Sequence, residues 1–167
     1  FSKRLLEISE YLKDDDEAHI NEHSIEVELP FLQRKKKPFM FVPIIVTAAS
    51  MRVYGIIANE LVRCIKELSA ETTIIASSDF THYEDSQSAS KKDKLAIDAI
   101  LELDEKKFLN VVKEHDITAC GYAPIAIMLA SAKLLGAKDA RLLKYQTSGD
   151  VSGDYESVVG YAGIIIT

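Results

Sequence analysis

Residues 72–82 read Thr72-Thr73-Ile74-Ile75-Ala76-Ser77-Ser78-Asp79-Phe80-Thr81-His82, an apolar run that passes directly into polar side chains. The first half is rich in β-branched residues, which predicts a strand buried on both faces. The second half gathers hydroxyl, carboxylate and imidazole groups where that strand ends. In layered α/β proteins, ligands bind where strands end in polar side chains. The stretch therefore predicts both the fold class and the position of a site.

Helices and strands alternate on both sides of this stretch. Helical spacing of apolar residues predicts helices, and runs of β-branched residues predict strands. The predicted helices cover about residues 2–13, 22 to the basic run at 34–37, 51–68, 91–101, 105–114 and 124–135. The predicted strands cover residues 39–46, 72–76, 140–147 and 158–166. We expect one α/β domain, residues 1–167, with helices layered around a central mixed sheet.

Composition narrows the classes of function. The net charge of -6 and the pI near 5.3 argue against a nucleic acid or an anionic membrane as the main partner. No apolar stretch reaches the roughly 18 residues that a membrane helix needs. Cys64 falls beside the apolar stripe of the helix at 51–68 and is predicted to be a core residue, so no disulfide with Cys120 is expected. A reducing compartment follows, and we predict a cytoplasmic location.

Histidines and carboxylates define two candidate clusters. His23, next to Glu22 at a predicted helix start, is either a capping or solvated residue or a functional one. Asp79 and His82 stand three residues apart at the strand end, a spacing that can bring carboxylate and imidazole together to hold a proton near neutral pH. The alternative is an aspartate that caps a turn and a histidine on the surface. Spacing alone leaves both interpretations open.

The third cluster is Cys120-Gly121-Tyr122, which directly precedes a helix begun by Pro124. The dipole at a helix N-terminus favours a thiolate, so Cys120 is either a metal ligand or nucleophile, or else a buried, inert cysteine. The sequence contains no CxxC, HExxH, GxGxxG or P-loop motif. Zinc-ribbon, zincin, dinucleotide and NTPase functions therefore have no support.

Taken together, these clusters resemble the Memo family, also labelled protein B of the AmmeMemoRadiSam system. The matching stretches follow the family's order along nearly the whole chain: residues 22–31, 77–82, 120–125, 145–150 and 157–162. The family's fold is similar to that of class III extradiol dioxygenases, which are non-haem iron enzymes that open catechol rings. The resemblance thus implies a dioxygenase-like α/β fold, of which this chain is the C-terminal part without the N-terminal part.

The resemblance also implies a metal site that holds iron or copper. Cys120 is its implied thiolate ligand, and the two other expected ligands are histidines upstream of this chain. Asp79, His82 and His23 are the implied catalytic residues of the same pocket. A substrate- or peptide-binding pocket is implied for Glu22, Tyr122, Gln146 and Ser148. In the dioxygenases a carboxylate stands where the family has its cysteine, so the resemblance does not imply a particular reaction.

Two functions follow from the resemblance. The first is a metal-dependent, oxidoreductase-like protein. The second is a catalytically inactive module that uses the vestigial dioxygenase pocket to bind a peptide or a partner, as eukaryotic members bind phosphotyrosine peptides. The chain offers no clear arginine cluster for phosphate, so the first is favoured. The system's name implies radical SAM and AMMECR-type proteins as partners.

Overall fold

The structure is a computed structural model that describes residues 1–34, 38–69 and 71–167. Its helices are α1 (Ser2–Ile8), α2 (Asp16–His19), α3 (Leu29–Gln33), α4 (Met51–Leu68), α5 (Ser86–Leu101), α6 (Glu105–Glu114), α7 (Tyr122–Leu135) and α8 (Gly149–Ser152), with a 3₁₀-helix at Glu26–Glu28. Its strands are β1 (His82–Glu84), β2 (Ala140–Thr147) and β3 (Val158–Ile166). The predicted helices 51–68 and 105–114 and the two C-terminal strands are confirmed at both ends. The predicted end of the second helix, at residues 35–37, lies outside the described residues.

The strands form one sheet in the order β1-β3-β2, and β3 pairs antiparallel with both neighbours. The α/β class is therefore confirmed, but the prediction of a mixed sheet is wrong for the part of the chain that the structure describes. Residues 39–46 and 72–76, predicted as strands buried on both faces, belong to no helix or strand, and none of them is buried: Met40 is 98% exposed and Ile75 is 53% exposed. A run of β-branched residues favours a buried strand, but the strand forms only where a neighbour completes its hydrogen bonds and covers its side chains.

Two helices, α1 and α5, differ from their predicted bounds where polar side chains bind the backbone, and a third prediction is shortened. α1 ends at Ile8, not near residue 13, since the Ser9 hydroxyl accepts the Leu12 N–H at 3.0 Å and donates to Glu60 at 2.6 Å. α5 begins five residues early because the carboxylate of Asp85 accepts two N–H groups of its first turn, both at 3.0 Å. The helix predicted from residue 22 is reduced to the 3₁₀-helix and α3.

The core is divided into two clusters that share α7. Ile125 and Leu129 of α7 pack with residues of α5 and α6, while Ala126 and Ile127 pack with α4 and α1. Because it is covered on two sides, α7 is apolar almost all round, and it fixes the loop that precedes it. In the described part of the chain, no helix combines the length and the apolar character needed to cross a membrane.

Asp104 caps α6, and its removal should destabilise the fold in a pH-dependent way. Its Oδ1 accepts N–H groups from Lys107 at 2.9 Å and Lys106 at 3.0 Å, and these bonds lower its pKa below 3.8. Because the folded pKa is the lower one, the stabilisation is present above the unfolded value and is lost as the pH falls through the folded value. Asp104→Ala should lower the free energy of unfolding by about 1 kcal/mol at neutral pH.

Urea denaturation at neutral pH and at about pH 3 measures this effect, and the difference between variant and parent should shrink at the lower pH. Asp98→Ala, an exposed position inside α5, is the matched control. A loss of the same size at both pH values would contradict the capping role of Asp104.

Candidate metal centre

Three side chains with ligand atoms converge at one end of the sheet: Asp79, His82 and Cys120. One carboxylate oxygen, one imidazole nitrogen and the sulfur all lie within 4.8 Å of one another. His82 Nε2 is 3.7 Å from Asp79 Oδ2, and the backbone N–H of Asp79 donates to Cys120 Sγ at 3.2 Å. The structure therefore brings the carboxylate and the imidazole close together, and their role in holding a proton stays a prediction.

β3 holds the segment that carries Asp79 and His82. The N–H of Phe80 donates to the carbonyl of Gly160 at 2.9 Å, and the N–H of Gly160 donates to the carbonyl of Thr81 at 3.0 Å. The N–H of His82 donates to Thr118 Oγ1 at 2.7 Å, which ties the histidine to the loop that leads to Cys120. Main-chain bonds therefore fix both partners of the imidazole–carboxylate pair.

A β-bulge lies directly after the imidazole. His82 and Glu84 pair with the consecutive residues Val159 and Val158, so Tyr83 is the extra residue of the bulge. Its φ of 59° lies in the left-handed region, which a non-glycine residue adopts only where the surroundings impose it. Bulges change the direction of neighbouring side chains, and at this bulge the ring centroids of Tyr83 and His82 are 5.8 Å apart.

The loop that carries Cys120 touches the other segment through its backbone. The N–H of Gly121 donates to Ser78 Oγ at 2.8 Å. A Cβ on Gly121 would collide with the carbonyl oxygen of Ser77 and would lie 2.5 Å from Ser78 Cβ. The side chain of Cys120 is exposed, whereas Cys64 is fully buried, and burial raises the pKa of the Cys64 thiol. Cys64 is thus the core residue predicted, and Cys120 is the accessible thiol.

The turn at residues 22–24 lies beside the same segment. The carbonyl of Ser24 accepts the Ser77 hydroxyl at 2.8 Å, and the Ser24 N–H donates to the Glu22 carboxylate at 2.7 Å, which lowers the pKa of Glu22. Glu22 is thus engaged within its own turn. The His23 side chain is exposed, and it is not part of the group of ligand atoms found among the described residues.

The other predicted pocket residues take structural positions near the centre. Tyr122 is half-buried and packs against both core clusters. Gln146 lies opposite Tyr161 in the β2–β3 ladder. Ser148 Oγ accepts the Val159 N–H at 3.0 Å and so closes the turn before β3. A binding role for these side chains stays a prediction.

Two residues near the centre were not predicted from the sequence. Tyr161, opposite Gln146 in the β2–β3 ladder, has a pKa raised by burial and then by the negative charge of Asp79. Thr118 fixes the backbone of His82. Only the register of β2 against β3 identifies Tyr161 as a neighbour of Gln146, and cross-strand register cannot be read from spacing in the sequence.

The three donors match a transition metal better than magnesium or calcium. A thiolate is a soft ligand and an imidazole is an intermediate one, a pair that suits iron, copper or zinc, whereas hard cations take oxygen ligands. The Asp79 side chain is 46% exposed and that of His82 is 20% exposed, so a small ligand can approach the cluster from solvent. The donor set therefore fits the metal class implied by the resemblance, without identifying the metal.

The fold and the site place the chain in the class of α/β proteins with a candidate transition-metal site, which here consists of Asp79, His82 and Cys120. A family model described as Memo-like protein matches residues 1–165. The chain belongs to the Memo family.

Archaeal relatives support this assignment. The chain is 43% identical over 166 residues to a MEMO1 family protein of Methanopyrus kandleri, covering 99% of the chain and 59% of that relative. It is 42% identical over 164 residues to one of Nitrosopumilus maritimus, covering 98% and 59%. A MEMO1 family protein of Thermoplasma volcanium is 42% identical over 165 residues, covering 98% and 60%. The chain thus spans about 60% of the length of the curated relatives that it matches.

Proposed function

We propose that this protein is a metal-dependent, oxidoreductase-like member of the Memo family that uses non-haem iron or copper. The observation that carries the proposal is the approach of three ligand atoms, from Asp79, His82 and Cys120, to within 4.8 Å of one another. Acid–base and metal-binding groups that converge and stay open to solvent are typical of functional sites.

Cys120 is the residue that we propose as the metal ligand from this chain. Its side chain is exposed, and its sulfur is held beside Asp79 by the Asp79 N–H, which donates to it at 3.2 Å, so the sulfur can be reached from solvent in a fixed position. The resemblance implies two further histidine ligands outside this chain. A bound iron or copper ion would supply electron transfer and activation of an oxygen species.

His82 is proposed to act as the acid or base, with Asp79 as the group that orients it. Their side-chain atoms are 3.7 Å apart, slightly beyond a direct hydrogen bond, and catalytic bonds are often this long before a substrate is bound. The carboxylate holds the ring in one orientation while the ring accepts or donates a proton. We propose a phenol-like molecule or an oxygen species as the substrate class, with His23 as a hydrogen-bond donor to it.

The test of this assignment is His82→Ala in the intact protein. We expect oxygen-dependent turnover of catechols to fall by about 100-fold or more, because a positioned acid–base group contributes about that factor. Metal content, measured by elemental analysis, should remain, and the far-UV circular dichroism should not change. His115→Ala, which removes an exposed imidazole outside the cluster, is the control.

Two outcomes would change the assignment. Turnover that survives His82→Ala would show that the acid–base role is wrong. Loss of metal together with turnover would instead make His82 a ligand, which the 4.8 Å separation of ligand atoms allows.

A second candidate is a binding module in which the cluster is a relic. The observation that favours it is a group of exposed apolar side chains before α4, in which Phe39 and Phe41 line one cavity of about 350 Å³ with Leu29. Apolar groups of this kind mark interaction sites. The radical SAM and AMMECR-type proteins implied by the resemblance are the proposed partners. Absence of metal from intact protein purified without chelator would favour this candidate.

A further inference from the structure

A carboxylate in the protein interior is bound to the segment that carries the metal centre. Asp93 lies on α5 and is 0% exposed. It stands on the buried stripe of that helix, four residues after Ala89 and three before Ala96. An aspartate in such a position is rarely tolerated unless its charge is fully hydrogen-bonded.

Asp93 reaches two elements at once. Its Oδ1 accepts the backbone N–H of Thr81 at 2.9 Å and the Thr81 hydroxyl at 2.6 Å. Its Oδ2 accepts the phenol of Tyr145, on β2, at 2.8 Å. Burial, and then the hydrogen bond to Asp93, raises the pKa of Tyr145, so the phenol stays protonated and remains a donor.

Gly160 brings β3 against the same carboxylate. A Cβ at this position would collide with Asp93 Oδ2 and would lie 3.1 Å from the Tyr145 phenol oxygen. The Gly160 N–H also donates to the Thr81 carbonyl. Thr81 is thus held at its N–H and hydroxyl by Asp93 and at its carbonyl by β3, and it lies between Asp79 and His82 in the chain.

Stability alone is a weak reason for this arrangement. Replacing a buried ionic group by apolar side chains of similar volume often leaves a fold equally or more stable. A fully satisfied buried network, in contrast, fixes one geometry for the groups attached to it. The geometry fixed here is that of the residues on either side of Thr81.

We propose that Asp93 is a positioning residue that acts through Thr81 to hold Asp79 and His82 in place, and with Asp79 the N–H that donates to the proposed ligand Cys120, an inference that rests on the proposed metal-binding function. Asp93 itself contacts none of the three ligand atoms through any bond recorded among the described residues. Its role resembles that of the outer partners that orient metal ligands in other sites.

The test compares Thr81→Val, which keeps the shape but loses the hydroxyl, with Thr81→Ser, which keeps the hydroxyl. Cobalt(II) affinity of the intact protein is measured by chelator competition, together with the thiolate-to-cobalt absorption band. We expect Thr81→Val to bind cobalt about 10- to 100-fold more weakly and with a changed band, as for other outer partners of metal ligands. Thr81→Ser should stay close to the parent protein.

Two further variants keep the result interpretable. Tyr145→Phe removes the donor to Asp93 Oδ2 without touching Thr81, so it weakens the network even if Thr81→Val fails to fold. Ile57→Val, in the cluster around α4, is the control for a loss of core packing away from the network. The proposal would be overturned if Ile57→Val weakened cobalt binding as much as Thr81→Val and Tyr145→Phe do. It would also be overturned if the Thr81→Val and Tyr145→Phe proteins kept the cobalt affinity and the spectrum of the parent.

Failure of the metal function gives a different result, because the parent protein would then bind no cobalt. In that case amide hydrogen exchange of the metal-free protein decides the positioning role. The N–H of Asp79, which donates to Cys120 Sγ, should exchange faster in Thr81→Val and Tyr145→Phe than in the parent and the Ile57→Val control. Unchanged exchange at Asp79 would overturn the positioning role as well.

Discussion

Cys120→Ser should remove stoichiometric iron or copper from the intact protein purified without chelator. A serine hydroxyl keeps its proton at neutral pH and is a hard oxygen donor, so it replaces a soft anionic ligand with a neutral, mismatched one. We expect the affinity for the metal ion to fall by about 100-fold or more, which exceeds the effect of losing a residue that only orients a metal ligand. Because Cys120 is exposed, the free energy of unfolding of the metal-free protein should hardly change.

Elemental analysis of the parent and variant proteins provides the measurement. Cys64→Ala, which removes the other thiol, is the control and should keep its metal. Metal at the parent stoichiometry in Cys120→Ser would disprove the ligand role of this cysteine.

Gly121→Ala should both destabilise the fold and disrupt the metal centre. The new Cβ would meet the carbonyl of Ser77 and the Cβ of Ser78, and a backbone atom cannot rotate away as the end of a side chain can. Overpacking of this kind costs about 3 kcal/mol at its upper range. The hydrogen bond from Gly121 to Ser78 would also lengthen, so Cys120 should move away from Asp79 and metal binding should be lost.

Urea unfolding and metal analysis of the same sample measure both effects. Gly55→Ala in α4 is the matched control, because no atom lies within 4 Å of the added methyl. That change should raise the free energy of unfolding by about 0.5–1 kcal/mol, since alanine suits a helix interior better than glycine. A Gly121→Ala protein as stable as the parent would show that the two segments do not approach as closely as described.

Local patterns predicted those parts of the fold that local interactions determine. α4 and α6 and the strands β2 and β3 agree with their predicted bounds, because their apolar periodicity is uninterrupted. Residues 39–46 and 72–76 carry an equally clear apolar signal, yet they are neither strands nor buried, because no local pattern can supply a neighbouring strand or a covering surface. Helix ends were missed where a single side chain captures backbone groups, as Ser9 and Asp85 do.

The site was predictable to the extent that its residues occur at element ends. Asp79, His82 and Cys120 stood out by type and position, and the structure brings them together. Asp93 did not, although one signal was present: a carboxylate on the apolar stripe of a helix needs a buried partner. That partner, Thr81, is twelve residues away in sequence and is identified only by the packing of α5 on the sheet.

The contact between Ser78 and Gly121 spans 43 residues of sequence, and that between Ser77 and Ser24 spans 53. The α5–α6 and α6–α7 pairs are formed by elements that follow one another along the chain, and only the short α8 separates β2 from β3. Because closing a long loop costs more conformational entropy than closing a short one, we expect the sequence-local units to form first and the centre to assemble late in folding. During synthesis, Asp79 and His82 leave the ribosome well before Cys120. A metal ion held by all three of these side chains could therefore bind only after residue 120 has been synthesised.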